Sequence, residues 1–151
     1  MKTEGIKVIV ENRKARHEYE ILEDFETGVV LTGTEVKSLR QGKANLKESF
    51  ARVKKGEIWL IGMHISPYKE GNRYNPDPLR PRKLLLHRSE IRKLSAKVAQ
   101  DGLTLVPLKL YFKGGLCKCS LGLARGRKLY DKRENLKKRE VDRQVRQSIR
   151  H

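Results

Sequence analysis

Apolar and polar residues alternate over residues 104–112 and 116–123, and this alternation most constrains the fold. Successive side chains of a β-strand point to opposite faces, so the pattern predicts two strands joined through Lys113-Gly114-Gly115. Pro107 has no N–H to donate, which predicts a bulge or an edge position there. We expect one buried face formed by Val106, Leu108, Leu110 and Phe112.

Four further segments have the composition of strands. Residues 18–22 and 29–31 flank an expected turn over residues 24–28, and residues 49–54 and 58–65 form an expected hairpin. In the second strand of that hairpin, we expect a core face made by Trp59, Ile61, Met63 and Ile65.

Two short helices are predicted between the strands. Thr34 is the expected N-cap of a helix over residues 35–41 that stops at Gly42. Ser89 is the expected N-cap of a helix over residues 90–101 that stops at Gly102. The apolar residues expected to face the core are Val36 and Leu39, then Ile91, Leu94 and Val98. Residues 66–83 hold four of the five prolines and predict an irregular loop.

This order of elements favours a mostly β fold with flanking helices, a small closed antiparallel β-barrel of the oligonucleotide-binding type. Closing the sheet removes its edges and leaves loops free to contact nucleic acid. Residues 1–124 form the expected barrel domain. Residues 125–151 form a tail with eleven Lys or Arg against four Asp or Glu and few apolar residues, so we expect it to be disordered alone.

The charge of the chain indicates a polyanionic partner. It carries 35 Lys and Arg against 18 Asp and Glu, a net charge of +17. Apolar runs such as residues 59–61 and 84–86 are far too short to span a membrane, and residues 1–5 do not resemble a signal peptide. The sequence therefore predicts a cytoplasmic protein that binds nucleic acid and no membrane. The alternative for the tail is a solvated basic segment that aids solubility.

No catalytic, metal or cofactor site is predicted. Cys117 and Cys119 lie two residues apart and share a strand face with Leu121 and Leu123, which indicates reduced core thiols. No histidine lies at a zinc-ligand spacing from them. The acidic residues are scattered, and no phosphate-binding glycine motif or recognised nucleophile motif is present.

Five runs of residues stand out in order along the chain: NRKARHEYEI at 12–21, GTEVKSLRQGKANL at 33–46, MHISPY at 63–68, RKLLLH at 82–87 and GRKLYDKRE at 126–134. Together they resemble the small protein B family, the SsrA-binding proteins of bacterial trans-translation. Three positions depart from the family pattern. Arg127 stands where members often have Lys, Tyr130 where others have His, and His87 where others have Asn.

The resemblance implies a closed β-barrel that binds the tRNA-like domain of transfer-messenger RNA. It also implies delivery of that RNA, with elongation factor Tu and GTP, to ribosomes stalled on broken messages. The tail is implied to become helical in the empty mRNA channel of the small subunit. The RNA-binding residues implied are His17, Tyr19, Glu26, Leu85, His87 and Lys118. The ribosome-binding residues implied are Gly126, Arg127, Lys128, Tyr130, Asp131, Lys132 and Arg133.

Physical chemistry gives several of these residues a role. His17 and Tyr19 can stack on unpaired bases, and Lys118 projects from the non-core face of its strand toward a phosphate. Glu26 would repel phosphates, so it is expected to accept a hydrogen bond from a base amino group or a 2′-hydroxyl. A ribosomal protein or a general RNA chaperone would show the same charge, but it would bind many RNAs with similar affinity.

Overall fold

The computed structural model describes residues 5–126, apart from the side chains of residues 72–74. Within this range the chain is mostly β, as the sequence predicts, with three α-helices and one 3-10 helix (Lys69–Tyr74). The helices are α1 (Arg13–Glu18), α2 (Gly33–Arg40) and α3 (Arg88–Asp101). The strands are β1 (Ile6–Glu11), β2 (Tyr19–Val29), β3 (Ala44–Asn45), β4 (Phe50–Lys54), β5 (Glu57–Ile61), β6 (His64–Ile65), β7 (Arg82–Leu85), β8 (Thr104–Lys113) and β9 (Leu116–Gly126).

Seven of these strands form one antiparallel sheet in the order β1-β8-β4-β5-β7-β2-β9. Strand β9 also pairs with β8, so the hydrogen-bonded path from β8 through β4, β5, β7, β2 and β9 returns to β8. Strand β1 lies outside this path and pairs with β8 alone among the seven. The two short strands β3 and β6 pair separately. The hairpin of β8 and β9 agrees with the alternation in the sequence.

The sheet has apolar clusters on both faces. The larger cluster joins inner-face residues of the strands, such as Leu60 and Leu121, to Leu39 of α2 and Leu94 of α3. The smaller cluster lies on the outer face, where Ala15 of α1 packs with the set Val106, Leu108 and Ala124. Burying a leucine side chain stabilises the fold by about 2 kcal/mol, so both clusters contribute to the stability of the sheet.

The outer cluster depends on helix α1, which the alternation does not predict. The Asn12 carboxamide accepts from the Ala15 N–H at 3.3 Å and donates to the Pro107 carbonyl at 3.0 Å. One side chain therefore starts the helix and fastens it to β8. The helix ends at Glu18, and its C-cap residue Tyr19 begins β2.

The expected turn over residues 24–28 is wrong, because β2 continues through it to Val29. Asp24 and Glu26 are opposite Gly122 and Ser120 of β9, while Phe25 faces the core. Long pairing with β9 therefore outweighs the low strand propensity of the acidic residues.

The expected core face of β5 is also wrong for Trp59 and Ile61. Ile58 and Leu60 are completely buried instead, and Trp59 pairs with Arg52 and Lys83 on the opposite face. Gly62 then adopts φ +82, a conformation that favours glycine, and shifts the alternation by one residue. Met63 and Ile65 beyond it are buried, as expected.

Strand β8 contains the irregularity expected at Pro107, since its register with β9 shifts between Pro107 and Lys109. The shift reverses which residues face the core. Leu110 belongs to the inner cluster, whereas Val106 and Leu108 pack on the outer cluster. The expected single face for these residues is therefore wrong, because a bulge inserts one residue into the alternation.

Both helix starts differ from expectation. Helix α2 ends one residue earlier than expected, at Arg40 with Gln41 as its C-cap, whereas α3 stops as expected. Thr32, rather than Thr34, caps α2: its hydroxyl accepts from the Glu35 N–H, and Glu35 Oε1 accepts from the Thr32 N–H at 2.9 Å. His87, rather than Ser89, is the N-cap of α3. Gly102 ends α3 in the left-handed conformation, and Leu94 is completely buried, as the sequence predicts.

A buried ion network fixes the proline-rich loop to α2. Arg82 is 0% exposed, and its guanidinium donates to Glu35 Oε2 at 2.6 and 2.8 Å and to the Pro78 carbonyl at 3.0 Å. Arg80 also donates to both oxygens of Glu35. Burial raises the pKa of Glu35, but hydrogen bonds from Arg80, Thr32 and Arg82 outweigh it and leave that pKa below its ordinary value.

Strand β9 bears out the expected thiol face. Cys119, Leu121 and Leu123 belong to the inner cluster and Cys117 packs against it. Burial raises the pKa of both thiols to about 12. Among residues 5–126, no helix is long and apolar enough to cross a membrane.

Candidate nucleic-acid interface

One row of residues crosses four strands on the outer face of the sheet. Leu85 of β7 is opposite Gly28 of β2, Gly28 is opposite Lys118 of β9, and Lys118 is opposite Tyr111 of β8. Directly opposed residues of antiparallel strands share a face, so these side chains are neighbours. The structure therefore brings together Leu85 and Lys118, which lie 33 residues apart in the sequence.

Glu26 lies beside this row on the same face. Its Oε2 accepts a hydrogen bond from the Tyr111 hydroxyl, and its Oε1 lies 3.5 Å from Lys113 Nζ. The hydrogen bond from Tyr111 lowers the pKa of Glu26, and the charges of Lys113 and Lys118 act in the same direction. The lowered pKa keeps the carboxylate ionised at neutral pH, and the Glu26 side chain is 42% exposed and so open to a ligand.

Tyr111 and Lys113 are site residues that the sequence reasoning missed. Tyr111 is 4% exposed, and Lys109 Nζ lies 5.4 Å from the centroid of its ring. Burial, followed by the hydrogen bond to Glu26, raises the pKa of Tyr111, so its hydroxyl stays protonated as a donor. A signal was available, because Lys109, Tyr111 and Lys113 alternate along β8 opposite the core residues.

Leu85 and His87 form the border of this surface. The Leu85 side chain covers Gly28, where an added Cβ would lie 3.2 Å from Leu85 Cβ, yet Leu85 is still 51% exposed. His87 is exposed at the start of α3, and its N–H donates to Glu90 Oε1 at 3.2 Å. A leucine so exposed on a sheet face is available for apolar contact.

His17 and Tyr19 lie on the same face at its other end. Tyr19 and Glu26 are seven residues apart, an odd spacing that would put them on opposite faces of a regular strand. The bulge between Ile21 and Glu23 removes that conflict, and Tyr19 packs on the outer cluster. His17 is exposed in the last turn of α1. Roughly 23 Å of strand separates Tyr19 from Glu26, so the six RNA-binding candidates form two groups.

Most of the expected ribosome-binding residues lie outside the described range, namely Arg127, Lys128, Tyr130, Asp131, Lys132 and Arg133. Gly126 is described and ends β9 opposite Tyr19, while Arg125 is opposite Glu20. Strand β9 therefore extends two residues beyond Ala124. Within residues 5–126, no three His, Cys, Asp or Glu side chains are grouped so that they could hold a metal ion.

The outer face thus offers three kinds of contact to a ligand. Lys109, Lys113 and Lys118 present positive charge, Glu26 presents an acceptor, and Leu85 presents apolar surface. A ligand that offered only phosphates could be bound by the lysines alone. The combination with an ionised acceptor fits a ligand that has both phosphates and N–H or O–H donors.

The fold and this face define a small basic β protein with a polar binding surface on its sheet. Within that class, the chain belongs to the SmpB protein family, whose model matches residues 9–151. SsrA-binding protein of Carboxydothermus hydrogenoformans is 58% identical over 144 residues, covering 95% of this chain and 97% of the relative. SsrA-binding protein of Thermosynechococcus vestitus is 60% identical over 147 residues, covering 97% of each chain. The resemblance found in the sequence is therefore confirmed.

A solved structure is also similar. It is described as "tmRNA-SmpB: a journey to the center of the bacterial ribosome", and one of its chains is 58% identical to this one. The match has a TM-score of 0.65 and covers 78% of this chain and 82% of that chain.

Proposed function

We propose that this protein binds the tRNA-like domain of transfer-messenger RNA and accompanies it to stalled ribosomes for trans-translation. Family membership and relatives named SsrA-binding protein support the partner RNA, and the solved structure named for tmRNA and SmpB supports the ribosome. The observation that carries the binding mode is the placement of Glu26 among Lys113, Lys118 and Tyr111 on one exposed face.

We further propose that the sheet is a closed barrel of the oligonucleotide-binding type. The returning path of strand pairings from β8 to β8 supports closure. The protein acts by binding and not by catalysis, in the cytoplasm. Elongation factor Tu with GTP is proposed to meet the protein through the shared RNA.

The tail from residue 125 is proposed to enter the vacant mRNA channel of the small subunit and to become helical there. Its eleven Lys and Arg support contact with ribosomal RNA phosphates. Tyr130 would stack on a base, Asp131 would cap the helix, and Lys132 and Arg133 would face phosphates. Replacing Asp131, Lys132 and Arg133 with Ala should abolish tagging and leave RNA binding largely intact.

Glu26→Gln tests the binding mode, because two explanations of affinity differ in sign. If the basic surface alone binds RNA, removing a negative charge tightens binding slightly. If Glu26 accepts a hydrogen bond from the RNA, its loss weakens binding by about 1–3 kcal/mol. We expect the weaker binding, measured by titration against the isolated tRNA-like domain.

Glu23→Gln is the matched control. Glu23 lies on the same strand and pairs with Lys93 at 3.0 Å, but it faces the other side of the sheet. A duplex RNA of equal length and an intact tRNA serve as competitors at two salt concentrations. Equal displacement by both, with Glu26→Gln binding as tightly as Glu23→Gln, would favour a general RNA chaperone instead.

A further inference from the structure

The hydroxyl of Tyr111 holds one oxygen of Glu26, so the carboxylate has a fixed direction. It reaches across β9 from the β8 strand to Glu26 on β2, where Oε2 accepts from it. A glutamate with 42% of its side chain exposed would otherwise sample several rotamers. Tyr111 is itself fixed, since it is 4% exposed beside Lys109.

The remaining acceptor capacity of Glu26 defines what it can recognise. An ionised carboxylate has two oxygens with about four acceptor positions and no donor. Tyr111 uses one position, and Lys113, at 3.5 Å from Oε1, faces a second. The free positions can accept two parallel N–H donors from one ligand edge.

Among the four RNA bases, guanine alone presents two adjacent donors on its Watson–Crick edge, N1–H and the N2 amino group. Cytosine and adenine present one amino donor beside an acceptor nitrogen, which would repel the second oxygen. Uracil presents one N–H between two acceptors. In single-stranded RNA these edges are free for contact with protein.

Resting on the proposed RNA-binding function, we propose that Glu26 reads the Watson–Crick edge of an unpaired guanine and that Tyr111 is its positioning residue. Lys118 is opposite Gly28 in the adjoining row and lies on the face where the backbone of that nucleotide would run. The charged and titratable groups facing Glu26 are Lys113, Lys109 and the neutral Tyr111 from β8, Lys118 from β9, and Asp24 on its own strand.

Inosine tests the base contact, because it differs from guanosine only by the missing N2 amino group. Each unpaired guanosine of the tRNA-like domain is replaced singly by inosine, and affinity is measured for wild type and Glu26→Gln. At one position we expect wild type to lose about tenfold in affinity, while Glu26→Gln loses nothing further. A matched series of 2′-deoxy substitutions identifies contact through the sugar.

Tyr111→Phe tests the positioning role. It should weaken binding of the guanosine RNA and reduce the difference between guanosine and inosine. It should also raise the pKa of Glu26, followed by the NMR shift of its side-chain carboxyl carbon between about pH 3 and 7. Tyr68→Phe is the matched control, since Tyr68 also donates to a glutamate, Glu70, away from this face.

Two results would overturn the inference. One is a wild-type protein that binds the RNA but tolerates inosine at every unpaired guanosine, including the case in which only a 2′-deoxy substitution weakens it. The other is a Tyr111→Phe protein that folds and discriminates as wild type does. Neither result affects the proposed function, which fails only if wild type does not prefer the unmodified tRNA-like domain to duplex RNA.

Discussion

The Glu35 carboxylate is the group whose removal should most damage the folded state. It is 3% exposed and accepts from the Thr32 N–H at 2.9 Å, from Arg80 Nε at 3.1 Å and from Arg82 Nε at 2.8 Å. Glu35→Gln keeps the shape but turns one acceptor into a donor that faces guanidinium donors. It also leaves the buried charge of Arg82 without its counter-ion.

The expected cost follows from burial. Breaking a buried ion pair at one partner costs about 3–5 kcal/mol, a large part of the roughly 5–15 kcal/mol that stabilises a domain. Urea unfolding should therefore show a much lower midpoint for Glu35→Gln with an unchanged slope. Combining it with Arg82→Met should recover part of the loss, because the uncompensated charge is then gone.

Glu57→Gln is the matched control for this substitution. Glu57 also pairs with a cation, Lys83 at 3.0 Å, but both side chains are about two-fifths exposed. An exposed pair contributes less than about 1 kcal/mol. If Glu35→Gln lowered the free energy of unfolding no more than Glu57→Gln does, the interpretation that the buried ion network stabilises the fold would be refuted.

The contribution of Glu35 should also depend on pH in one direction. Its pKa in the folded protein is lowered from 4.5, so the unfolded chain binds the proton more tightly than the folded one. The stabilisation is therefore complete above the unfolded-state pKa and is lost as pH falls through the lower folded-state pKa. The difference in stability between wild type and Glu35→Gln should shrink on acidification, and a difference that grew would contradict this sign.

Two further predictions concern β9. Ending the chain after Gly126 should leave the unfolding midpoint unchanged while abolishing tagging of stalled chains, because the strand and its pairing with Tyr19 are kept; a large loss of stability would show that later residues belong to the core. Cys117 and Cys119 should resist alkylation at about pH 8 until the protein unfolds, because burial raises the pKa of both thiols; rapid labelling of native protein, followed by mass spectrometry, would contradict it.

The sequence was sufficient to predict the structure where the local pattern and the long-range strand pairing agree. The β8–β9 hairpin, the stop of α3 at Gly102 and the bulge near Pro107 follow from alternation and from glycine and proline chemistry. It was insufficient wherever one residue shifts the alternation. With the bulge near Pro107, Val106 and Leu108 lie on the outer face. The shift at Gly62 means that Trp59 does not share a face with Met63 and Ile65, as the alternation predicted.

The same effect explains why part of the site was missed. Glu26 was placed in an expected turn, so no cross-strand neighbour could be assigned to it. Only the register of β2 with β9 and of β9 with β8 shows that Tyr111 can reach it. The family resemblance indicated Glu26 as an RNA-binding residue, whereas its hydrogen-bond donor, Tyr111, could be identified only from the fold.

In the proposed binding mode, affinity and selectivity on this face come from different residues. Lysines 109, 113 and 118 contribute attraction to any phosphate chain, and that part falls with added salt. Glu26 opposes this attraction. Its ionised carboxylate, held among the lysines by Tyr111, therefore lowers the affinity for RNA unless it accepts hydrogen bonds from the ligand. In duplex RNA the Watson–Crick edges are paired, so the carboxylate finds no free pair of adjacent N–H donors and mainly repels the phosphates. For an unpaired base with two free donors it attracts, so a single negative charge raises selectivity while lowering nonspecific affinity.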